Sequence, residues 1–267
     1  MKRLYGFIQS IFRDGPIIGY GPYLKYRLKL PRLSAPGAMK VCVGGQDIYV
    51  RPGTSDLRVA FQNLRTEFDI LSDLLPKDFS GLIIDAGGYI GTAALQLARM
   101  YPAATIITIE PSSQNYAMLL RNVSAIDRIV PINAALHTEA GQSLELVDHG
   151  TGEWGFSIMA SDTGCSSMEI VQTVSLPEIA ARYPSMRIGI IKIDIEGSEK
   201  DLFENSDKTL STAEAVFIEL HDRMVPGCTE LFRNFSRDRW ILNAGGEKLL
   251  SLRKQSNDAP HESLRKD

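Results

Sequence analysis

Leu82-Ile83-Ile84-Asp85-Ala86-Gly87-Gly88-Tyr89-Ile90-Gly91-Thr92-Ala93-Ala94-Leu95-Gln96-Leu97-Ala98 reads as a buried strand, a glycine loop and a helix in immediate succession. The apolar run before the loop is the mark of a covered strand, and the spacing after it is helical. Glycines let the backbone turn sharply and approach a ligand closely. In open α/β sheets that happens in the crevice beyond the carboxyl end of a strand. A tight βα turn with no ligand would need the same glycines, so the neighbouring stretches must decide.

Outward from this stretch, short apolar runs alternate with helical patterns, the signature of a doubly wound, mostly parallel α/β sheet with crossover helices. Strands are expected at 82–86, 104–109, 129–133, 189–195, 214–219 and 239–243, with a last one near 248–252. Upstream, Lys40-Val41-Cys42-Val43 and Gln46-Asp47-Ile48-Tyr49-Val50 alternate around Gly44-Gly45 and predict a β-hairpin. Thr54 or Ser55 then caps a helix carrying Leu57, Phe61, Leu64, Phe68 and Leu71. Residues 14–37, with Pro16, Pro22, Pro31 and Pro36, form a loop-rich lead-in. These readings divide the chain into an N-terminal extension (1–80), a main domain (81–252) and a polar, aperiodic tail (253–267) expected to be disordered.

Ile106-Ile107-Thr108-Ile109-Glu110 is a second strand ending in an acid about twenty residues past the glycines. That is where a carboxylate accepts the hydrogen bonds of two ribose hydroxyls. A nucleotide cofactor is therefore expected, and two kinds compete. Ala86-x-Gly88-x-x-Gly91 overlaps the dinucleotide fingerprint with alanine for its first glycine, which would suit NAD. Asp85 stands before the turn, where a pyrophosphate meets a second negative charge while a sulfonium or an amino group is welcome. Charge favours S-adenosylmethionine, with Asp85, Gly87, Tyr89, Gly91 and Glu110 as its ligands and Asn133, after the third strand, on the adenine side.

A second acidic group follows Ile188-Gly189-Ile190-Ile191, in Lys192-Ile193-Asp194-Ile195-Glu196-Gly197-Ser198-Glu199. Alternation puts Lys192, Asp194 and Glu196 on one side, and polar groups beside a sheet need partners or a ligand. Asp194 is placed to face the methionine amino group, the sulfonium or an acceptor hydroxyl. The fifth strand ends in Glu219-Leu220-His221, and the near-neutral pKa of an imidazole suits removal of a hydroxyl proton. Asp194, Glu196 and His221 are the catalytic candidates. Asp194, Glu219 and His221 could alternatively hold a divalent cation, although no metal is assigned. Residues 137–168 are too long and polar for an ordinary connection and are expected to act as a lid or acceptor-binding element. Within them, Gly152-Glu153-Trp154-Gly155-Phe156-Ser157 sets an aromatic between glycines, where Trp154 either stacks on the acceptor or anchors the loop.

The bulk composition excludes little. The 267 residues are 44% hydrophobic with a formal net charge of -3, so no global field draws the chain to nucleic acid, and no nucleic-acid partner is expected. Cys42, Cys165 and Cys228 are widely spaced and without a metal-ligand pattern, as expected of reduced thiols in a cytoplasmic protein. Residues 1–21 do not read as a signal peptide, and no apolar run is long enough to span a membrane. Oligomeric state is not legible.

Between residues 48 and 221 the chain resembles the FkbM family of S-adenosylmethionine-dependent methyltransferases. The resemblance rests on Arg51-Pro52-Gly53-Thr54-Ser55-Asp56, the 85–91 loop, Glu110-Pro111, Trp154-Gly155-x-Ser157, the 192–199 stretch and Glu219-Leu220-His221. It implies a class I methyltransferase (Rossmann-like) fold, a seven-stranded sheet with one antiparallel strand, and O-methylation of a hydroxyl on a sugar or glycan, a polyketide or a related metabolite. Trp154, Ser157 and Lys192 are then the candidates for binding that small-molecule or glycan acceptor. The family often has asparagine where this chain has Gly88, while Gly87 and Gly91 fit. Two other readings stay open, an NAD-dependent oxidoreductase and a non-catalytic partner subunit that keeps the methyltransferase fold.

Overall fold

The computed structural model describes Gly21, Tyr23 and residues 37–148, 156–157, 166–196, 198–204 and 208–254. The lead-in expected at 14–37, the 1–21 start, Trp154, Cys165 and the tail beyond Lys254 lie largely outside these residues.

Met39–Val43 (β1) and Gln46–Val50 (β2) pair antiparallel around Gly44 and Gly45, both at positive φ (58° and 80°). Two left-handed central residues are what a two-residue turn matching the strand twist requires, and glycine supplies them without strain. Helix α1 (Asp56–Arg65) buries Leu57, Ala60 and Leu64. It stops earlier than the apolar spacing suggests. The N–H groups of Thr66 and Glu67 both donate to the Gln62 carbonyl, and Leu71 is buried from a 3₁₀ turn, Asp69–Leu71. Ser55 does not cap with its side chain as expected; its hydroxyl lies 3.0 Å from that of Tyr89, and the Asp56 N–H donates to Thr54 Oγ1 instead.

Strands and helices then alternate through β3 (Leu82–Ala86), α2 (Thr92–Met100), β4 (Thr105–Ile109), α3 (Ser113–Val123) and β5 (Ile129–Ile132). A smaller sheet is made by β6 (Ala135–Leu136), β7 (Ser143–Asp148), β8 (Phe156–Ser157) and β9 (Ser166–Val174). The chain continues through α4 (Leu176–Arg182), β10 (Ile188–Ile193), α5 (Glu199–Glu204), α6 (Lys208–Thr212), β11 (Ala215–Glu219) and α7 (Cys228–Phe235). It closes on the hairpin β12 (Arg239–Gly245) and β13 (Lys248–Arg253).

The large sheet has the order β12-β13-β11-β10-β3-β4-β5, and β13 alone runs antiparallel to its neighbours. This is the class I methyltransferase, Rossmann-like sheet, and each expected strand lies within two residues of its place. Residues along β3 alternate between two cores. Ile83 packs with Leu57, Leu64, Phe68, Ile90 and Ala94, while Leu82 and Ile84 pack with Ile107, Ile191, Val216 and Phe232. The first core contains β1, β2 and α1 residues, so the N-terminal extension covers that face of the sheet as a crossover helix would.

The chain runs from β3 outward to β4 and β5, then returns through β10 on the other side of β3. That reversal opens a crevice at the carboxyl ends of β3 and β10. The stretch 137–168 is less irregular than expected. Within it β7 pairs antiparallel with both β8 and β9, and β9 pairs parallel with β6.

Candidate functional site

At the end of β3 the backbone is held by its neighbours. The N–H groups of Gly87 and Gly88 both donate to the Ile109 carbonyl, and the Asp194 N–H donates to the Ala86 carbonyl. Gly87 has φ 81°, and a Cβ there would stand 1.8 Å from the Asp194 carbonyl oxygen, so only hydrogen fits. Gly91, at φ 84°, is the N-cap of α2. Gly88 has no room for a side chain as the neighbours stand: a Cβ would meet Thr108 Oγ1 at 2.4 Å and Leu119 Cδ1 at 2.9 Å. The Thr108 hydroxyl donates to Asp85 Oδ2 at 2.9 Å, so this hydroxyl occupies the space and supports the buried acid.

Glu110, at the end of β4, is buried and accepts hydrogen bonds from the N–H groups of Tyr89 (2.8 Å) and Ser112 (3.0 Å) and from Asn115 Nδ2 (3.3 Å). Burial pushes its carboxyl up to about 7, against the pull of those donors. Two carboxylate oxygens offer about four acceptor positions, so capacity remains for a further donor.

Lys192, on β10, lies between two acids, 3.3 Å from Asp85 Oδ1 and 3.6 Å from Asp194 Oδ2, and donates to the Gly87 carbonyl at 2.8 Å. Burial opposes its charge, but Asp85, Asp194 and Glu67 together raise its pKa above the ordinary lysine value. Lys192 thus ties the loop to both acids at the floor of the cleft it lines.

Asp194, Glu196 and His221 do converge. His221 Nε2 is 3.4 Å from Glu196 Oε2 and 3.9 Å from Asp194 Oδ1, and Nδ1 is 2.8 Å from Glu199 Oε1. Burial pushes the Glu196 carboxyl up to about 8, with Asp194 adding to the rise and His221 opposing it. Burial lowers His221, yet the Glu199 bond and the charges of Glu196 and Asp194 prevail and raise it to about 9. Glu219 stands apart from this group, 3.3 Å from Lys248 Nζ, which also reaches Glu67 at 3.3 Å.

These elements enclose a cleft of about 590 Å³, within the size range of small-molecule sites. Gly87, Tyr89, Glu110, Lys192, Asp194 and Glu196 line it; Asp85, Gly91 and His221 stand behind the lining. Asn133 does not reach it. Its side-chain amide donates to the carbonyls of Glu110 and Pro111, both at 2.9 Å, which ties β5 to the end of β4. Of Ser157 only the backbone is described, paired with Val147, and Trp154 lies outside the described residues.

Sequence reasoning missed one group. Asp56, fully buried, accepts from Arg51 Nη2 (2.8 Å) and from the Tyr89 hydroxyl (2.5 Å), and Arg51 Nη2 also donates to Asn115 Oδ1 at 2.8 Å. The Tyr89 phenol, buried beside Asp56, is therefore held well above its ordinary pKa. Tyr89 and Asn115 are both donors to Glu110, so the extension braces the acid through two partners. The Arg51–Asp56 stretch was visible in the sequence, but its partners lie 33 or more residues away. Arg58, Gln62 and Asn63 of α1 also line the cleft and were read only as a helix face.

The Methyltransferase FkbM domain model matches residues 85–239, more than half of the chain. The chain belongs to the FkbM methyltransferase family. Methyltransferase 1 of Beauveria bassiana (strain ARSEF 2860) is 24% identical to this FkbM-family chain over 196 residues, 66% of the chain and 78% of the relative. Methyltransferase sdnD of Sordaria araneosa is 24% identical over 156 residues, 47% of the chain and 60% of the relative. Among solved structures, the FkbM methyltransferase of Methylobacillus flagellatus KT is similar at 17% identity and a TM-score of 0.46, covering 73% of this chain and 53% of that one. The matched FkbM region begins at Asp85 and takes in Glu110, Asp194, Glu196 and His221. Among the described residues, no helix is long and apolar enough to cross a membrane.

Proposed function

We propose that this FkbM-family protein binds S-adenosylmethionine in the cleft at the ends of β3, β4 and β10 and methylates a hydroxyl of a polar small molecule or glycan. The observation that carries the reading is the surroundings of Gly87. The glycine lies against Asp194, with the buried acid of Glu110 on one side and the Asp85–Lys192–Asp194 group on the other. Glu110 fits a ribose: it is fixed by three donors and keeps acceptor capacity. Asp194, with 30% of its side chain exposed, fits an ammonium or a sulfonium. A pyrophosphate fits poorly, because two carboxylates share one ammonium beside the loop and leave a net negative charge there. That weighs against an NAD-dependent oxidoreductase.

When bound, S-adenosylmethionine supplies an electrophilic methyl group on a cationic sulfur. The chain's own residues bind, align and exclude water, and alignment of two reactants is worth about 7–11 kcal/mol at best. Arg58, Gln62 and Asn63 of α1, with Arg223, give the cleft a wall of hydrogen-bond donors, which suits an acceptor rich in oxygen. Arg58 Nε is buried without a hydrogen-bond partner, a donor available to such an acceptor. Asp194 and Glu196 reach the cleft directly, with His221 behind them, so proton removal from the acceptor falls to the carboxylates.

The test is incubation of the purified protein with S-adenosylmethionine and a panel of sugars, glycosides and phenols, read by mass spectrometry. A product heavier than its acceptor by one methylene unit, formed by wild type and at least a hundredfold slower by Asp194→Ala, is expected. Binding of S-adenosylhomocysteine with no product on any acceptor would favour the non-catalytic subunit.

A further inference from the structure

His221 Nε2 is an unexplained atom. The His221 side chain is 1% exposed, and Nε2 has no hydrogen-bond partner although it points between two carboxylates. A buried polar atom left so is destabilising unless a ligand satisfies it. The other ring nitrogen is fixed, with Nδ1 2.8 Å from the fully buried Glu199 carboxylate. An imidazole that donates Nδ1–H to a carboxylate turns the lone pair of Nε2 outward, which is how metal-binding histidines are oriented. Glu196 holds a left-handed backbone, φ 52°, strained for a residue with a side chain, and its carboxylate lies beside that lone pair. The Ser198 hydroxyl, also buried and without a partner, lines the same part of the cleft.

From this geometry we infer that Asp194, Glu196 and His221 form a binding site for a divalent transition-metal cation facing the cleft. One ligand atom from each residue lies within 4.8 Å of the others, close enough that small side-chain movements would bring all three to about 2.0–2.2 Å from a common ion. Two carboxylates and one imidazole favour Mn²⁺, Fe²⁺ or Zn²⁺ over Ca²⁺, which takes six to eight oxygens. Three protein ligands leave coordination positions free, as in catalytic sites, and Asp194 and Glu196 direct them into the cleft. This set differs from the one suggested by sequence, because Glu219 is engaged by Lys248 and Glu196 takes its place. On the reading of the cleft as an O-methylation site, a hydroxyl bound to the cation becomes more acidic and releases its proton to water, which replaces proton removal by the free carboxylates when the cation is bound. Cation binding itself does not depend on that reading.

The experiment is titration of chelator-stripped, full-length protein with Mn²⁺, read as loss of the free-ion electron paramagnetic resonance signal, with Zn²⁺ as competitor. One Mn²⁺ per chain is expected, displaced by Zn²⁺. Binding should weaken at least tenfold in Glu196→Gln and in His221→Ala, and about tenfold in Glu199→Gln, which disturbs only the orientation of the ring. Circular dichroism and the unfolding midpoint of the same samples check that each variant is folded, and calorimetry with S-adenosylhomocysteine on the wild type reads the cofactor site separately. Absence of Mn²⁺ and Zn²⁺ binding, or binding unaffected by Glu196→Gln, would overturn the inference; His221 would then serve as a protonated partner of the carboxylates. Because the two titrations are read separately, loss of the cation site and failure of the cofactor reading are distinguishable.

Discussion

Glu110 shows how burial alone prepares a side chain for binding. Its three donors orient the carboxylate, yet burial still lifts its pKa to about 7, so in the free protein the acid is half-protonated near neutrality. A folded pKa above the ordinary value favours folding at low pH, and that contribution is lost as pH rises through about 7. Cofactor binding has the opposite dependence, because ribose hydroxyls need the ionised acceptor. The affinity for S-adenosylhomocysteine should therefore rise towards pH 7 and level off above it, with proton release at pH 6 visible by calorimetry in two buffers. Glu110→Gln should bind at least tenfold more weakly and with no such dependence; the same slope in the variant would rule out the assignment. Gly88 offers a second residue-scale test. Any Cβ there displaces the Thr108 hydroxyl from Asp85, so Gly88→Ala should lower stability by about 1–3 kcal/mol in urea unfolding. An unchanged midpoint would show that the loop has space which the packing denies.

At the scale of elements, the N-terminal hairpin and α1 are as much a part of the site as the sheet. Asn122 of α3 accepts from the Tyr49 N–H (2.7 Å) and donates to the carbonyls of Tyr49 (3.1 Å) and Ile90 (2.8 Å), fastening β2 to the glycine loop. Asn122→Ala removes all three bonds and should cost about 2 kcal/mol. It should also speed hydrogen exchange at the Tyr49 amide, while exchange in β10 stays unchanged. The central strands β3, β4, β10 and β11 were legible from apolar runs, because strands buried on both faces carry a continuous local signal. Glu110, Asp194, Glu196 and His221 were legible for a related reason: charge at the end of such a run has few structural uses. The hydrogen bonds of Lys192 and Asn133 to the carbonyls of Ala86, Gly87, Glu110 and Pro111 were not, since those carbonyls fold against them from distant segments. The bracing of Tyr89 by Asp56, and the replacement of Glu219 by Glu196 beside His221, depend on tertiary contacts in the same way. The strand β7 was legible in principle, because Ser143-Leu144-Glu145-Leu146 alternates polar and apolar residues, but the length and polarity of the whole stretch hid it.

For the whole molecule, the order of strands around β3 and the closure of one sheet face by the extension place a large cleft where the chain reverses direction. Ligand binding there should be felt globally. S-adenosylhomocysteine at a hundred times its Kd should raise the unfolding free energy by about 2.7 kcal/mol, measurable as a higher Tm. Lys40 and Arg223 carry their charge in exposed pairs, on which stability should depend little. The claim on which the proposed function rests is the identity of the cofactor, and its most direct test is calorimetric titration of the purified protein with S-adenosylhomocysteine and, separately, with NAD. The expected result is one-to-one, micromolar-range binding of S-adenosylhomocysteine alone, lost in Glu110→Ala; binding of NAD in its place would contradict the assignment.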